Sequence, residues 1–225
     1  MAEPGVLIVS ATKAEIEPLL SRMENVCQAS SFLFCGNLCN VPVDLLITGI
    51  GAIATAFRLT KQLCCGHSYR LAVSAGIAGS FTEEIRPGEV VQITGDCLAD
   101  LGIDDRGVLR TLAEAGLGEE SGFLENPAPL PTKHRRVNGI TVQTSSGSSE
   151  RIKQLTEKFR PQVETMENAV FFYVCRMLQI PFVSFRAISN MVEPRNKARW
   201  NIPEAIRALN EHLYDLFDRD NVLRM

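Results

Sequence analysis

Two patterns of apolar residues alternate along the chain. Short, nearly unbroken apolar runs with β-branched members occupy residues 5–10 (GVLIVS), 32–34, 43–48, 71–74, 139–144 and 182–189, with a further short one near Val163. Runs of this kind read as strands buried on both faces. Residues 89–94 follow Pro87 and Gly88 and read the same way. Between these runs the apolar positions fall three or four apart, as with Ile16, Leu19, Leu20 and Met23. That spacing predicts helices over 13–23, 52–63, 149–159, 167–178 and 203–217.

Strands alternating with helices predict an α/β fold, a central mixed sheet flanked by helices, formed as a single domain over 1–225. In such folds ligands meet the carboxyl ends of the strands. The segments to search are therefore 11–15, 48–51, 74–79, 144–147, 165–167 and 189–190. Residues 100–136 break the pattern with Gly, Asp and the run ENPAPLP, and read as a loosely structured excursion with one short helix over 108–115.

Composition narrows the function classes. The 225 residues are 45% hydrophobic and 22% charged, the profile of an ordinary globular chain. A formal charge of -3 gives no basic footprint for nucleic acid. The seven cysteines are scattered, and His67, His134 and His212 stand far apart, so neither a disulfide framework nor a metal site is expected. The N-terminus is acidic on both sides of a short apolar run, unlike a secretory signal, and no apolar stretch reaches the roughly 18–20 residues of a membrane span. A cytoplasmic location is the expectation.

TGIGAIA carries Gly49, Gly51 and Ala54 as GxGxxA between a strand and a helix. In a dinucleotide site an acidic residue should follow roughly 20 positions later to hold the ribose. The corresponding stretch here, YRLAVSAGIAG, has none. The glycines read instead as a tight turn with close helix packing, with a different nucleoside- or anion-binding loop as the other reading.

Five segments in order, SATKAEIEPL, ITGIGAIATA, SAGIAGSF…RPGEVV, ETMENAVFFYVC and PFVSFRAISN, resemble the purine nucleosidase and nucleoside phosphorylase superfamily. The resemblance runs over nearly the whole chain and is loosest over 100–136. It is nearest to the hydrolytic branch, which contains methylthioadenosine/S-adenosylhomocysteine nucleosidases and futalosine hydrolases. It implies a nucleoside phosphorylase-like fold, a small purine nucleoside as substrate, no cofactor, and a homodimer or larger homo-oligomer.

The resemblance also assigns roles. Glu15 matches the carboxylate that activates water, and a carboxylate just past a strand end can face a cleft. A glutamate favoured by the helix N-terminus is the alternative reading of the residue taken alone. Glu17 points nearly opposite on a helix. Met166 and Glu167 match the pair at the sugar, where an ionised carboxylate accepts from neighbouring hydroxyls and opposes the cationic character of the breaking bond. Arg186 is expected to orient Glu15 or the water. Phosphorylases bring arginine and serine to phosphate through the segment matching 74–79; by this register Ser74 and Ile77 stand at those positions, which favours water as the nucleophile. Ile77 is counted with the substrate-facing residues.

Asn190 is where the chain departs from its adenine-cleaving relatives, which carry aspartate in R-x-I-S-D; here the run is Arg186-Ala187-Ile188-Ser189-Asn190. An amide can donate N–H to a purine O6 and accept N7–H with its carbonyl, matching a leaving 6-oxopurine. Flipped, the same amide could pair with adenine. Ser189 is expected to hold the amide. Among hydrolases of this superfamily a 6-oxopurine nucleoside implies futalosine hydrolysis to hypoxanthine, on the alternative menaquinone route. RAISN-x-VEPRN followed by W-x-I-P resembles that subgroup. Arg195, with Lys197 or Arg199, is then the expected partner for the substrate's carboxylate. Rival readings are an adenine-releasing nucleosidase, a phosphorylase and a non-catalytic nucleoside-binding relative.

Overall fold

The computed structural model describes residues 4–117 and 122–218. The chain begins with β1 (Gly5–Ser10), α1 (Lys13–Leu20), β2 (Glu24–Ser30), β3 (Leu33–Leu38), β4 (Val41–Ile47), α2 (Ala52–Cys64), β5 (Tyr69–Ser80) and β6 (Val90–Cys97). It continues with β7 (Gly102–Asp105), β8 (Val108–Thr111), β9 (Phe123–Glu125), β10 (Arg136–Thr141), α3 (Ser149–Phe159), β11 (Val163–Thr165), α4 (Asn168–Met177), β12 (Phe182–Met191) and α5 (Ile202–Asp218).

The sheet runs β11-β10-β6-β12-β5-β1-β4-β3-β2, with β9 against β6. Parallel pairs β1–β4, β1–β5 and β5–β12 form its centre. The far end of β5 also pairs antiparallel with β11, through Gly79 and Glu164. The path β5-β12-β6-β10-β11 therefore returns to β5 and closes into a small barrel, which gathers the ends of β5, β11 and β12.

Apolar side chains pack on both faces. One cluster joins α1 and α5 to the sheet through Ile16, Leu19, Val73, Phe185, Leu209, Leu213 and Phe217. The other joins α2 and α4 through Leu7, Leu59, Ala72, Phe171, Phe172 and Phe182. Phe172 and Phe182 have ring centroids 4.8 Å apart, and each fully buried side chain of this size contributes about 1.5–3 kcal/mol. This two-sided burial is why the strands read as continuous apolar runs.

Several boundaries differ from expectation. The helix expected over 13–23 ends at Leu20, and Pro18 inside it lacks the N–H that would bond the carbonyl of Ala14. An edge strand, β2, occupies 24–30 with every residue exposed, so it carries no apolar pattern to read. The strand expected over 139–144 lies earlier, at Arg136–Thr141. The strand read over 71–74 is the twelve-residue β5, so 74–79 lies inside a strand rather than past its end. Small residues (SAGIAGS) hide its strand character. The excursion holds the hairpin β7–β8 and strand β9 in place of the expected helix: residues 108–111 are strand and 112–116 turn. No helix among the described residues is long and apolar enough to cross a membrane.

Candidate active site

Glu15 sits at the third position of α1 and is both a capping residue and a cleft residue. Thr12 caps the helix, and Glu15 reaches back in a capping box. Its Oε2 accepts from Thr12 N at 2.9 Å, Thr12 Oγ1 at 2.7 Å and Ser10 Oγ at 3.5 Å. Its Oε1 accepts from Ile77 N at 3.1 Å and keeps a lone pair available. The side chain is buried, whereas Glu17 is exposed and paired with Lys13. Behind it, the Asn210 amide of α5 bridges the pair of groups that a regular helix would join directly: Asn210 Nδ2 donates to Glu15 O at 2.8 Å and Oδ1 accepts from Leu19 N at 2.9 Å. The sequence offered no signal for Asn210, since only tertiary packing brings α5 to this turn.

Gly76 of β5 separates Glu15 from Arg186. A Cβ there would lie 3.0 Å from Glu15 Oε1 and 3.5 Å from Arg186 Nε, so the missing side chain leaves room for both groups. Arg186 lies well inside β12 and is 3% exposed. Its NH2 donates to Ser74 Oγ at 3.0 Å, and its NH1 to Phe185 O at 2.9 Å and Ser184 Oγ at 3.3 Å. Ser10, Glu15, Thr48, Ser74, Glu167 and Arg186 line a cavity of about 10 Å³, room for about one water. Burial lowers the Arg186 pKa, and the charges of Glu167, Glu15 and Asp96 oppose that change.

Glu167 closes the cavity from the start of α4. Its Oε1 accepts from Gly51 N at 2.7 Å, and burial raises its pKa against that bond and the charge of Arg186. The GxGxxA loop thus presents its helix N-terminus to an anion, and the anion is the protein's own carboxylate. Ala52 N at the same terminus donates to Gln143 Oε1 at 3.3 Å. Gly49 and Gly51 have φ of 83° and 90°, and a Cβ on Gly49 would come within 2.6 Å of Arg58 NH1.

A buried polar chain supports Arg186 from behind. Asp96 accepts from Asn168 Nδ2 at 2.8 Å and Thr141 Oγ1 at 3.0 Å, and Asn168 Oδ1 accepts from Ser184 Oγ at 2.6 Å. Burial pushes the Asp96 carboxyl up to about 7, with these hydrogen bonds and Arg186 opposing the rise. These residues were missed because each sits in an apolar stretch or a strand–helix junction.

At the end of β12, Asn190 Nδ2 donates to Met191 O at 2.9 Å, and Asn190 Oδ1 accepts from Ser189 Oγ at 2.7 Å. A carbonyl can only accept, so Met191 O fixes the NH2 end of the amide and with it the orientation. Each end keeps one free valence, a donor at Nδ2 and an acceptor at Oδ1. Asn190 lies opposite Gly79, where a Cβ would sit 3.3 Å from its Nδ2.

The remaining candidates divide. Met166 is half-buried beside Glu167. Ile77 packs its side chain against the core, and its backbone N–H is what reaches the site. Arg195 is exposed, stacks on Trp200 with its guanidinium 5.5 Å from the ring, and donates its backbone N–H to Gly147 O at 3.3 Å. Arg199 is engaged by Glu193 at 2.8 Å. Among the described residues no group of three or more His, Cys, Asp or Glu side chains is placed to hold a metal.

The family model described as Phosphorylase superfamily matches residues 6–218. The chain belongs to that superfamily. It is 32% identical over 179 residues to futalosine hydrolase of Streptomyces coelicolor, covering 75% of each chain. It is 29% identical over 199 residues to 5'-methylthioadenosine/S-adenosylhomocysteine nucleosidase of Haemophilus ducreyi, covering 83% of this chain and 84% of that one. The structure of futalosine hydrolase of Helicobacter pylori superposes with a TM-score of 0.80 at 15% identity, covering 96% and 97% of the two chains. The central mixed sheet flanked by helices is thus the fold of these structures.

Proposed function

We propose that this member of the superfamily hydrolyses the N-glycosidic bond of a purine nucleoside, and that its substrate is futalosine, cleaved to hypoxanthine and dehypoxanthinylfutalosine. The orientation of the Asn190 amide carries the choice of base. With its NH2 end anchored on Met191 O, the free N–H suits a purine O6 and the free carbonyl lone pair suits N7–H.

In this reading Glu15 Oε1 takes a proton from a water held in the cavity, and the water oxygen bonds to C1′ as the C1′–N9 bond breaks. The pair of electrons leaves with the base, whose N7 gains a proton through water, since an amide is no useful acid. Glu167 accepts from the ribose hydroxyls and opposes the positive charge developing on the sugar. Arg186, held by Ser74 and Phe185 O, sets a positive charge against the carboxylates of the cavity. Met166 packs beneath the sugar, and Arg195 meets the carboxylate at the far end of the substrate.

A second reading, release of adenine, is favoured by the likeness to the Haemophilus ducreyi nucleosidase. Incubation with futalosine, inosine, methylthioadenosine and S-adenosylhomocysteine, with and without phosphate, separates the readings. Hypoxanthine from futalosine, at a rate indifferent to phosphate, is expected. Faster release of adenine would overturn the base assignment, and dependence on phosphate would overturn hydrolysis.

We further place a homo-oligomer contact on the outer faces of α2 and α4, where Ile53, Phe57, Tyr173 and Met177 are all more than half exposed. A cleft of about 420 Å³ opens beside α2 between Phe32, Ile53, Phe57 and Arg58. All seven cysteines are free thiols, as a reducing cytoplasm would keep them.

A further inference from the structure

Strands β2, β3 and β4 form an antiparallel edge in which three reactive side chains share one row. Cys27 lies opposite Cys35 in the β2–β3 register, and Cys35 lies opposite Asp44 in the β3–β4 register. Directly opposed residues of antiparallel strands have Cα atoms about 4.5 or 5.5 Å apart. Both spacings fall within the roughly 4.4–6.8 Å that a disulfide spans. Cys35 thus has Cys27 on one side of the row and Asp44 on the other, and both neighbours, after burial, raise its pKa.

Asp44 is itself held firmly. Its Oδ2 accepts from Tyr69 OH at 2.6 Å, and that phenol oxygen accepts from Gln62 Nε2 of α2 at 2.6 Å. Cys27 is exposed on an edge strand, and Cys35 is half-buried behind it. The pair therefore combines an accessible thiol, a shielded partner thiol and a fixed carboxylate.

We propose that Cys27 and Cys35 form a reversible oxidation site, closed to an intramolecular disulfide by a hydroperoxide with Asp44 as proton acceptor. Cys27 sulfur attacks the peroxide first; the O–O bond breaks, water or an alcohol leaves, and Cys27 becomes a sulfenic acid. Cys35 sulfur then attacks the Cys27 sulfur, the S–O bond breaks, and the S–S bond forms. The proton of Cys35 passes to Asp44 and onward to the departing hydroxide, giving a second water. The two thiols lose two electrons and the peroxide gains them.

The division of labour follows from the surroundings. Burial and the neighbouring Asp44 push the Cys35 thiol up to about 12, so it stays protonated until Asp44, opposite it in the register, takes that proton as the S–S bond forms. The crosslink would tie the edge strand β2 to β3. In the sheet order β4 stands between β3 and β1, so the row lies away from the Glu15 cavity, and the test needs no assay of the nucleosidase.

The experiment treats the full chain with hydrogen peroxide and maps tryptic peptides after acid quenching. Cys27, Cys35 and Cys39 all fall on the peptide running from Met23 to Arg58. A loss of two hydrogens, mapped to Cys27–Cys35 and reversed by dithiothreitol, is expected. In Cys35→Ser, dimedone should trap Cys27 as its sulfenic acid. In Asp44→Asn, closure should slow about tenfold or more. Should Asp44→Asn not fold, wild type and Cys35→Ser still decide the pairing. Progress of wild-type Cys27 to sulfinic acid, pairing with Cys39, or a crosslink between two molecules overturns the proposal.

Discussion

Gly51 donates its backbone N–H to Oε1 of Glu167 across 2.7 Å, joining the first turn of α2 to the carboxylate at the start of α4. Gly51 holds φ 90° and ψ 169°, a region open essentially to glycine alone, where another residue costs about 1–3 kcal/mol. Gly51→Ala should therefore displace the donor that positions Glu167. The expected result is a KM for nucleoside raised about tenfold, with a Tm lowered by several degrees at roughly 2–4 °C per kcal/mol. An unchanged KM in a destabilised variant would make the contact purely structural.

Glu15→Gln separates the two roles of this side chain. Glutamine serves at the third position of a capping box, so α1 should persist with a stability change below about 1 kcal/mol. Glutamine is no base, and kcat should fall by about 10²–10⁴. Calorimetric titration with an unreactive nucleoside analogue should give nearly the wild-type Kd. Loss of binding together with turnover would assign Glu15 to the scaffold.

Asn190→Asp tests the reading of the base. In the proposed reading the carboxylate loses the donor assigned to O6 and can carry a proton toward N7, which favours a 6-aminopurine. The ratio of kcat/KM for inosine over adenosine should drop by about 10²-fold or more. Ser189 Oγ, 2.7 Å from Oδ1, can still donate to the new carboxylate, while the donor to Met191 O is lost, so the variant's Tm is measured beside its kinetics. A ratio that stays put removes Asn190 from substrate selection.

Asn210→Ala opens the bridge between α5 and the turn that carries Glu15. It leaves a buried acceptor at Glu15 O and a buried donor at Leu19 N without their side-chain partner. The cost in denaturant unfolding should be about 1–3 kcal/mol. Because Glu15 then loses its alignment while Glu167 and Asn190 keep theirs, kcat should fall more than KM changes. Parallel changes in both would place Asn210 in general stability alone.

His212 sets a pH dependence of stability. His134 Nδ1 faces Val90 O at 3.0 Å, and its Nε2 lies 2.8 Å from His212 Nδ1. The carbonyl requires the proton on His134 Nδ1, so His212 Nδ1–H donates and His212 Nε2 carries a buried lone pair without a hydrogen-bond partner. Burial, with His134 and Lys133 nearby, lowers His212 from 6.5 to about 3. The unfolded chain therefore binds the extra proton first, and stability is lost as pH falls from about 6.5 toward 3. Asp96, raised from 3.8 to about 7, acts oppositely over an overlapping range, gaining stability on acidification. His212→Asn keeps a donor toward His134 and removes the titration. Between pH 6 and pH 4 its unfolding free energy should fall less steeply than wild type, by up to about 1.4 kcal/mol per pH unit. Identical slopes would show that His212 does not titrate in this way.

Much of the architecture was legible because burial writes directly on the sequence. Strands covered on both faces must be apolar throughout, and helices covered on one face must repeat every three to four residues, so α2, α3, α4, α5 and most strands fell close to their expected places. The segments carrying Glu15, Glu167 and Asn190 were marked by residue types that recur together. Other features lay beyond any local pattern. The length of β5 depends on small residues whose strand state is imposed by β12 and β11, and β2 exists only as a partner of β3. The bridge from Asn210 to α1 spans 195 positions to Glu15, and the chain from Asp96 through Asn168 and Ser184 to Arg186 draws on three separate elements. A polar side chain in an apolar stretch does not say which distant donor or acceptor will satisfy it. Only the closing of the sheet, which brings those strands within hydrogen-bond distance, decides the partner and hence the position of the cation and carboxylates that face the cavity.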